Sequence, residues 1–326
     1  IEESEVFPSA LPVKRDASYA AWMTIQIGCD NSCAFCIVPA VRGREISRPY
    51  NELVTEVEEL AASGITEITL LGQNVNSYGR DLTLKLRGGE LPPDAEDLAG
   101  KVWVAGRHTA RPLFSDLLRS VSEVEGIRRV RYTSPHPKDL RPETITAMAE
   151  VPEICEHLHL PLQSGSDEVL SAMHRGYTAD RYLAKVHAAR REIADLALST
   201  DIIVGFPGES DSDFEKTLEV AAEARFDNAY TFVYSPRPGT QAAELVDKYV
   251  PSSVAATRME RLRKVIERSS RLGNESRIGH SEEVIVEGHS KRDPNMLTGR
   301  TRHNRLIHFP ANQPIRAGSY AQVKVT

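Results

Sequence analysis

Six short runs rich in β-branched and aromatic residues alternate with segments of helical periodicity, and this alternation restricts the fold more than any other feature of the chain. The runs are Trp22–Ile27, Glu67–Leu71, Arg129–Thr133, His157–Pro161, Leu198–Gly205 and Ala229–Tyr234. Between the first two, NELVTEVEELAASG places Leu53, Val57, Leu60 and Ala61 on one helical face and stops at Gly64. FSDLLRSVSEVEG, PETITAMAEV, ADRYLAKVHAARREIADL and SDFEKTLEVAAEAR repeat the pattern further along. A strand joined to a second strand through a helix makes a right-handed crossover, so the sheet is parallel. Six such units predict an α/β fold with a partial (β/α)6 TIM-like barrel, about three quarters of the eightfold one.

Two segments leave this rhythm. Residues Arg80–Pro112 are rich in Gly and Pro and irregular, which predicts a surface insertion. After the sixth run a polar helix repeats Met259, Leu262, Val265 and Ile266 at helical spacing. Beyond Gly273, EEVIVEG, MLTGRT, RLIHF and GSYAQVKVT read as short strands between turns, a small all-β barrel of about 50 residues. The expected division is a linker over 1–18, the barrel over 19–255, a linking helix over 256–273 and the β module over 274–326. Charge follows that division. The chain carries a net −6, yet from Asn274 onward eight Lys/Arg stand against five Asp/Glu, a basic module on an acidic body. No apolar run approaches the ~20 residues of a membrane span. The start has no basic-then-apolar leader pattern and no Met. Four cysteines with three clustered are not a secreted disulfide framework, so a cytoplasmic location is expected.

In parallel βα folds ligands bind at the C-terminal ends of the strands. The six runs end in GCDNSCAFC, GQNVNSYG, SPHP, LQSGSD, FPGES and SPRPGT, which together imply one large site. The first holds Cys29, Cys33 and Cys36 at a Cys-x3-Cys-x2-Cys spacing. Structural zinc usually needs four protein ligands, and His108 and Cys155 belong to other units. A catalytic zinc on three thiolates would be a weak Lewis acid. An iron–sulfur cluster takes thiolates at such spacings, normally four. Three leave one iron open to a substrate or cofactor. Cys155, beside Ile154 at the end of a helical pattern, reads as a buried small hydrophobe.

The spacing, with Phe35 before the last cysteine, resembles the cluster motif of the radical S-adenosylmethionine superfamily. CAFCIVPAVRGREISRP, LLGQNVNSYG, HLPLQSGSDEVL, DIIVGFPGES and YSPRPGT resemble the methylthiotransferases in order and spacing, and GRTRHNRLIHF resembles their RNA-binding TRAM module. The resemblance covers the chain from about Tyr19 onward. It implies a transferase that adds a methylthio group to C2 of isopentenyl-adenosine beside the tRNA anticodon. It implies a 4Fe–4S cluster on Cys29, Cys33 and Cys36, with S-adenosylmethionine on the open iron. Phe35, Gly72, Gln73, Asn74, Gln163, Ser164, Gly205, Phe206 and Pro207 match positions that line the cofactor pocket. Lys291, Arg292, Arg300, Arg302 and Arg305 would meet RNA phosphates. Arg42, Arg44, Tyr234 and Arg237 are weaker candidates for substrate contact, and His136 and His159 read as packing histidines. No catalytic residue is singled out.

Full-length relatives of this kind carry an N-terminal domain whose three cysteines bind an auxiliary 4Fe–4S cluster. Cys155 alone cannot supply a second cluster, so the chain is expected to be a fragment able to cleave S-adenosylmethionine but not to complete sulfur insertion. The implied partners are the tRNA anticodon stem-loop, a reductant such as flavodoxin or ferredoxin, and a sulfur donor, with no membrane and a monomeric state. Two other readings remain open. One is methylthiolation of threonylcarbamoyl-adenosine or of a ribosomal-protein aspartate. The other is a non-catalytic iron–sulfur RNA-binding protein.

Overall fold

The computed structural model describes residues 17–88, 90–311 and 314–326, so the expected N-terminal linker lies almost wholly outside the described residues. Six parallel strands run in chain order: β1 (Ala20–Thr24), β2 (Glu67–Leu71), β3 (Arg129–Tyr132), β4 (His157–His159), β5 (Ala197–Val204) and β6 (Asn228–Val233). They form two three-stranded sheets, β1-β2-β3 and β4-β5-β6. The seam between them is bridged beside Val130 and Ile154, where Cys155 N donates to Val130 O at 3.0 Å. The helices following the strands are α1 (Tyr50–Ala62), α2 (Phe114–Ser122), α3 (Pro142–Glu150), α4 (Asp167–Ala172), α5 (Ala179–Glu192), α6 (Asp211–Ala224) and α7 (Ser252–Glu275). Helix starts are set locally. Ser166 caps α4, Thr178 caps α5, and Ser210 with Asp213 forms a reciprocal capping box on α6.

Strand alternation sorts side chains between two faces. Met23, Ile68, Leu70, Val130, Tyr132, Leu158, Leu198, Ile202 and Val204 point outward into one core shared with Leu53, Leu117, Ile145, Val186 and Phe214 of the helices. The inner face is unlike that of a filled barrel, whose interior stacks Val, Ile and Leu in layers. Trp22, Thr69 and Arg131 share one register, and Asp201 pairs with Tyr230 and Ile203 with Phe232 in another. Trp22, Tyr230 and Phe232 remain 66%, 53% and 53% exposed. They sit on β1 and β6, the outer strands of the two sheets, so the barrel interior opens sideways between them.

The C-terminal strands β7 (Ser281–His289), β8 (Met296–Thr301), β9 (Leu306–Pro310) and β10 (Tyr320–Lys324) form an antiparallel sheet in the order β9-β8-β7-β10. Val284, Val286, Leu297 and Phe309 make its own small core. The sheet docks on the N-terminal ends of the barrel strands. From inside β3, fully buried Arg129 donates to Arg300 O at 2.8 Å, Glu283 O at 2.9 Å and Glu283 Oε1 at 3.0 Å. Arg131 donates to Thr301 O and Arg302 O, both at 2.8 Å. Tyr320 Oη donates to Thr66 Oγ1 at 3.1 Å, beneath the Arg128 guanidinium.

Two elements differ from the sequence reading. The first run, expected to be one strand, divides at Ile25. Its N–H pairs with Leu71 O of β2, but its carbonyl accepts from Arg48 N, so Gln26–Ile27 turns away to pair antiparallel with Ile46–Ser47. The Arg80–Pro112 insertion holds three short helices, Arg80–Leu86, Ala95–Ala99 and Lys101–Val104. Ala95, Ala99 and Trp103 are buried, and Gly100 lies against the Tyr50 ring of α1, closer than a Cβ would allow. A few apolar residues thus fold a Gly/Pro-rich segment onto the barrel wall.

Candidate iron–sulfur and cofactor site

The Gly28–Cys36 loop leaves β1 at the C-terminal rim and is fixed from three sides. Gly28 adopts φ +72°, and Cys29 N donates to Gly43 O at 3.2 Å. Ala34 N donates to Met173 O at 3.1 Å, and Ala34 O accepts from Ala242 N at 2.9 Å. Ala34, Val169, Met173, Phe206 and Ala242 form a satellite apolar cluster against which Phe35, Ile203 and Tyr234 pack. The loop is therefore clamped between the α4 end and the loop after β6. Cys29, Cys33 and Cys36 are half-buried free thiols. Burial pushes the Cys29 thiol upward, a cost that deprotonation by a bound metal offsets. Arg175 Nη1 lies 3.3 Å from Cys33 Sγ. Cys155 is buried at the other end of the barrel, before β4.

Unpartnered polar atoms stand at the C-terminal ends of the same parallel strands. Gln26, fully buried, donates to Asn74 O at 2.7 Å, while its Oε1 has no partner. Asn74 Nδ2 donates to Asp139 Oδ2 at 2.8 Å, and Asn74 Oδ1 is unpartnered. Gln73 Oε1 and Gln163 Oε1 are buried without partners as well. Buried polar groups without partners are costly, so several in one place mark a site that a ligand completes. His136 Nδ1 accepts from Lys138 N at 3.1 Å, which puts the ring proton on Nε2, another unpartnered atom. Burial pushes His136 down to about 2, so it is neutral across the physiological range.

Beside these atoms, Glu45 is pushed up to about 7, chiefly by burial, with Asp81, Asp30 and Asp139 adding to the shift. Ser77 Oγ lies 2.6 Å from Glu45 Oε2 and 2.7 Å from Asn74 O. One hydroxyl proton cannot serve both; protonated Glu45 donates to Ser77, which donates onward to Asn74 O. A carboxyl whose folded pKa exceeds its unfolded 4.5 lends stability below that value and loses it as pH rises through about 7. The whole effect is about 3 kcal/mol. Glu45→Gln should flatten the fall in unfolding free energy between those limits, measured by urea titration across pH; an unchanged slope would assign the pH dependence elsewhere.

The residues expected to line the cofactor divide into two groups. Gln73, Asn74 and Gln163 present unpartnered oxygens at the site, and Gly72 packs against the Gln26 side chain closer than a Cβ permits. Ser164, Gly205 and Phe206 make contacts within the chain, and Pro207 is buried beside them. Ser164 is fully buried 3.3 Å from Thr217 Oγ1, Gly205 N donates to Glu209 Oε2 at 2.8 Å, and Phe206 fills the satellite cluster. Glu209 itself pairs with buried Arg258 at 2.8 Å. Sequence reading missed Gln26, Glu45, Ser77 and Arg175. Gln26 alone left a signal, an amide inside an otherwise apolar run.

The basic residues of the C-terminal sheet are also divided. Arg300 pairs with Glu287 at 2.5 Å. Arg302 pairs with Glu156 at 2.7 Å and donates to Pro152 O and Ile154 O. Arg305 is held by Asp227 and Asn274. These three expected RNA contacts are thus committed within the chain, Arg302 and Arg305 as docking residues. Lys291 and Arg292 are exposed.

The donor set fits an iron–sulfur cluster with an amino-bearing ligand better than a mononuclear metal. Among the described residues no three His, Cys, Asp or Glu converge on a point where one ion could sit. Cluster thiolates each bind a different iron and need no such convergence. The carbonyl oxygens of Gln26, Gln73 and Asn74 are acceptors awaiting a donor, and an amino group supplies N–H donors.

Comparison with known proteins places the chain. The model of the radical SAM superfamily matches residues 23–221. The chain is similar to tRNA-2-methylthio-N(6)-dimethylallyladenosine synthase 1 of Mycobacterium marinum, at 45% identity over 335 residues, covering all of this chain and 60% of that protein. It is similar to the synthase of Streptomyces coelicolor at 46% identity, again covering all of this chain and 60% of that protein. The chain thus spans about 60% of the length of these curated relatives. Among solved structures it resembles a radical S-adenosylmethionine methyltransferase of Kitasatospora setae, at TM-score 0.50 and 16% identity over 69% of this chain and 38% of that one. It also resembles coproporphyrinogen III oxidase of Escherichia coli, at TM-score 0.50 and 11% identity over 87% of this chain and 67% of that one. At such identities these likenesses concern the fold alone. With the family model spanning more than half the chain, and with three clustered cysteines on the rim of a six-stranded parallel barrel, the chain belongs to the radical SAM superfamily.

Proposed function

We propose that this chain is the radical-generating and RNA-binding part of a methylthiotransferase that modifies C2 of N6-isopentenyl-adenosine beside the tRNA anticodon. The observation that carries this reading is the 45–46% identity, along the whole chain, to synthases named for that product. Cys29, Cys33 and Cys36 hold the 4Fe–4S cluster. Gln26, Gln73 and Asn74 would accept hydrogen bonds from the α-amino group of S-adenosylmethionine. When bound, cluster and cofactor supply the radical chemistry that activates an aromatic C–H bond; the protein orients base and cofactor around it.

The inner barrel face suits an unstacked base with an apolar N6 substituent. Aromatic platforms hold extruded loop bases by stacking. Trp22, Tyr230 and Phe232 offer such surfaces, and Ile203, in register with Phe232, packs on the cluster that carries the cysteine loop. Threonylcarbamoyl-adenosine would bring a carboxylate instead. The inner cations of β3, Arg129 and Arg131, are already spent on the C-terminal sheet. Lys291 and Arg292 meet phosphate, and residues 274–326 act as the TRAM module, joined through 256–273 to a barrel over 19–255. A flavodoxin or ferredoxin as reductant, a separate sulfur donor, a monomeric state and a cytoplasmic location complete the proposal.

Anaerobic reconstitution with iron and sulfide, followed by dithionite and S-adenosylmethionine, should yield 5′-deoxyadenosine. The triple variant Cys29→Ala, Cys33→Ala, Cys36→Ala should bind no cluster and yield none. A chain that loads iron yet forms no 5′-deoxyadenosine would be a non-catalytic cluster protein. Nucleoside mass spectrometry of tRNA treated with a full-length enzyme tests the substrate. A methylthio group on threonylcarbamoyl-adenosine, and none on isopentenyl-adenosine, would overturn the substrate proposed.

A further inference from the structure

Arg175 is a buried cation without a carboxylate. It is 6% exposed, yet no Asp or Glu among the described residues forms an ion pair with it. Its guanidinium is held by other means. Nε donates to Tyr177 Oη at 3.1 Å, and the Tyr177 ring lies beneath it with its centroid at 5.5 Å. Tyr177 Oη is anchored in turn on Leu162 O at 2.9 Å. The backbone is pinned where α4 ends, with Arg175 N donating to Leu170 O at 3.0 Å and Gly176 at φ +71°. This scaffold aims Nη1 at Cys33 Sγ, 3.3 Å away. The surroundings add positive charge. Lys138 Nζ sits 2.6 Å from Asn31 Oδ1 inside the cysteine loop, and Lys185 Nζ rests on the carbonyls of Pro137 and Leu140.

Burying an arginine costs several kcal/mol unless an anion compensates it. Three thiolates on an iron–sulfur core are such an anion, and one-electron uptake makes them more negative. Net charge and hydrogen bonds to sulfur are the levers by which a protein sets a cluster's potential. We propose that Arg175 is the counter-ion and sulfur hydrogen-bond donor of the cluster on Cys33, positioned there to raise its reduction potential. Arg175 is a positioning residue in this scheme: it touches the ligand and leaves the iron to the cysteines. The proposal rests on the assignment of Cys29, Cys33 and Cys36 as cluster ligands.

The test is a redox titration of the chain, reconstituted anaerobically and monitored by electron paramagnetic resonance, with iron content and far-ultraviolet circular dichroism as controls. Arg175→Gln should fold, and its reduction equilibrium should weaken roughly tenfold, a midpoint about 59 mV more negative. Arg175→Lys, which keeps the charge, should recover most of that shift. If Arg175→Gln takes up no cluster, Tyr177→Phe serves instead. It frees the guanidinium without removing it and should give a smaller shift in the same direction. An unchanged midpoint in whichever of the two loads the cluster overturns the proposal. So does a variant whose only defect, in calorimetric titration, is weaker S-adenosylmethionine binding, because Arg175 would then hold the cofactor's carboxylate. Failure of the underlying assignment looks different: the wild-type chain would take up no more iron than the variant lacking all three cysteines.

Discussion

Gly28→Ala is expected to reduce cluster uptake to background while leaving most of the fold intact. Two costs combine at this position. The backbone there is left-handed, at φ +72°, which costs an alanine about 1–2 kcal/mol. The larger cost is steric. A Cβ on Gly28 would overlap the carbonyl of Arg44 and lie 2.8 Å from Gly43 O. Those atoms belong to the segment that receives Cys29 N, so any relief moves Cys29. Gly64→Ala is the control, because Gly64 has φ +95° and open space where its Cβ would go. It should show the backbone penalty and normal iron content. Equal iron content in Gly28→Ala and wild type, measured after reconstitution, would mean that the loop tolerates a shift that this geometry forbids.

Arg129→Met should loosen the C-terminal sheet from the barrel. The side chain is wholly buried, and its loss removes its donors from the Arg300 and Glu283 carbonyls and from Glu283 Oε1, leaving Arg128 alone on the Glu283 carboxylate. Glu67, which faces Arg129 at 3.7 Å and Arg131 at 3.3 Å, loses part of its compensation. Breaking a buried charge network by removing one member costs about 3–5 kcal/mol. Hydrogen exchange over residues 281–324 should accelerate, whereas exchange in β5 should change far less. A folded, soluble Arg129→Met with wild-type protection in the C-terminal sheet would show that the remaining contacts, those of Arg128, Arg131, Arg302, Arg305 and Tyr320, suffice for the docking.

These two expectations draw on different kinds of information. Gly28 stands next to Cys29 in a loop whose chemistry was legible from its spacing. Arg129 is one of forty Lys/Arg, and its role depends on carbonyls more than 150 positions away. The same contrast runs through the candidate site. Gln73, Asn74 and Gln163 follow runs that the sequence shows as strands alternating with helical segments, and they reach the rim because every parallel strand points its C-terminal end there. Glu45 and Arg175 lie outside those strand ends, and nothing in their immediate sequence separates them from solvated charges. The C-terminal arginines give the converse. Read as a basic cluster they suit phosphate, but Glu156, Asp227 and Glu287 had claimed Arg302, Arg305 and Arg300.

From its sequence alone, the chain is legible as a parallel six-unit barrel followed by a small β module, with a three-thiolate loop at the head of the first strand. Periodicity and spacing are local, and local patterns suffice to build strands, helices and the loop between them. Only the tertiary structure decided which charges are spent and which polar atoms wait for a ligand. It divided the first strand at Ile25, left the inner face open between Trp22 and Tyr230, and buried Arg175 against Cys33. The physical reason is that the energy of a charged or polar group depends on its neighbours and on water, and both are fixed only when distant parts of the chain meet.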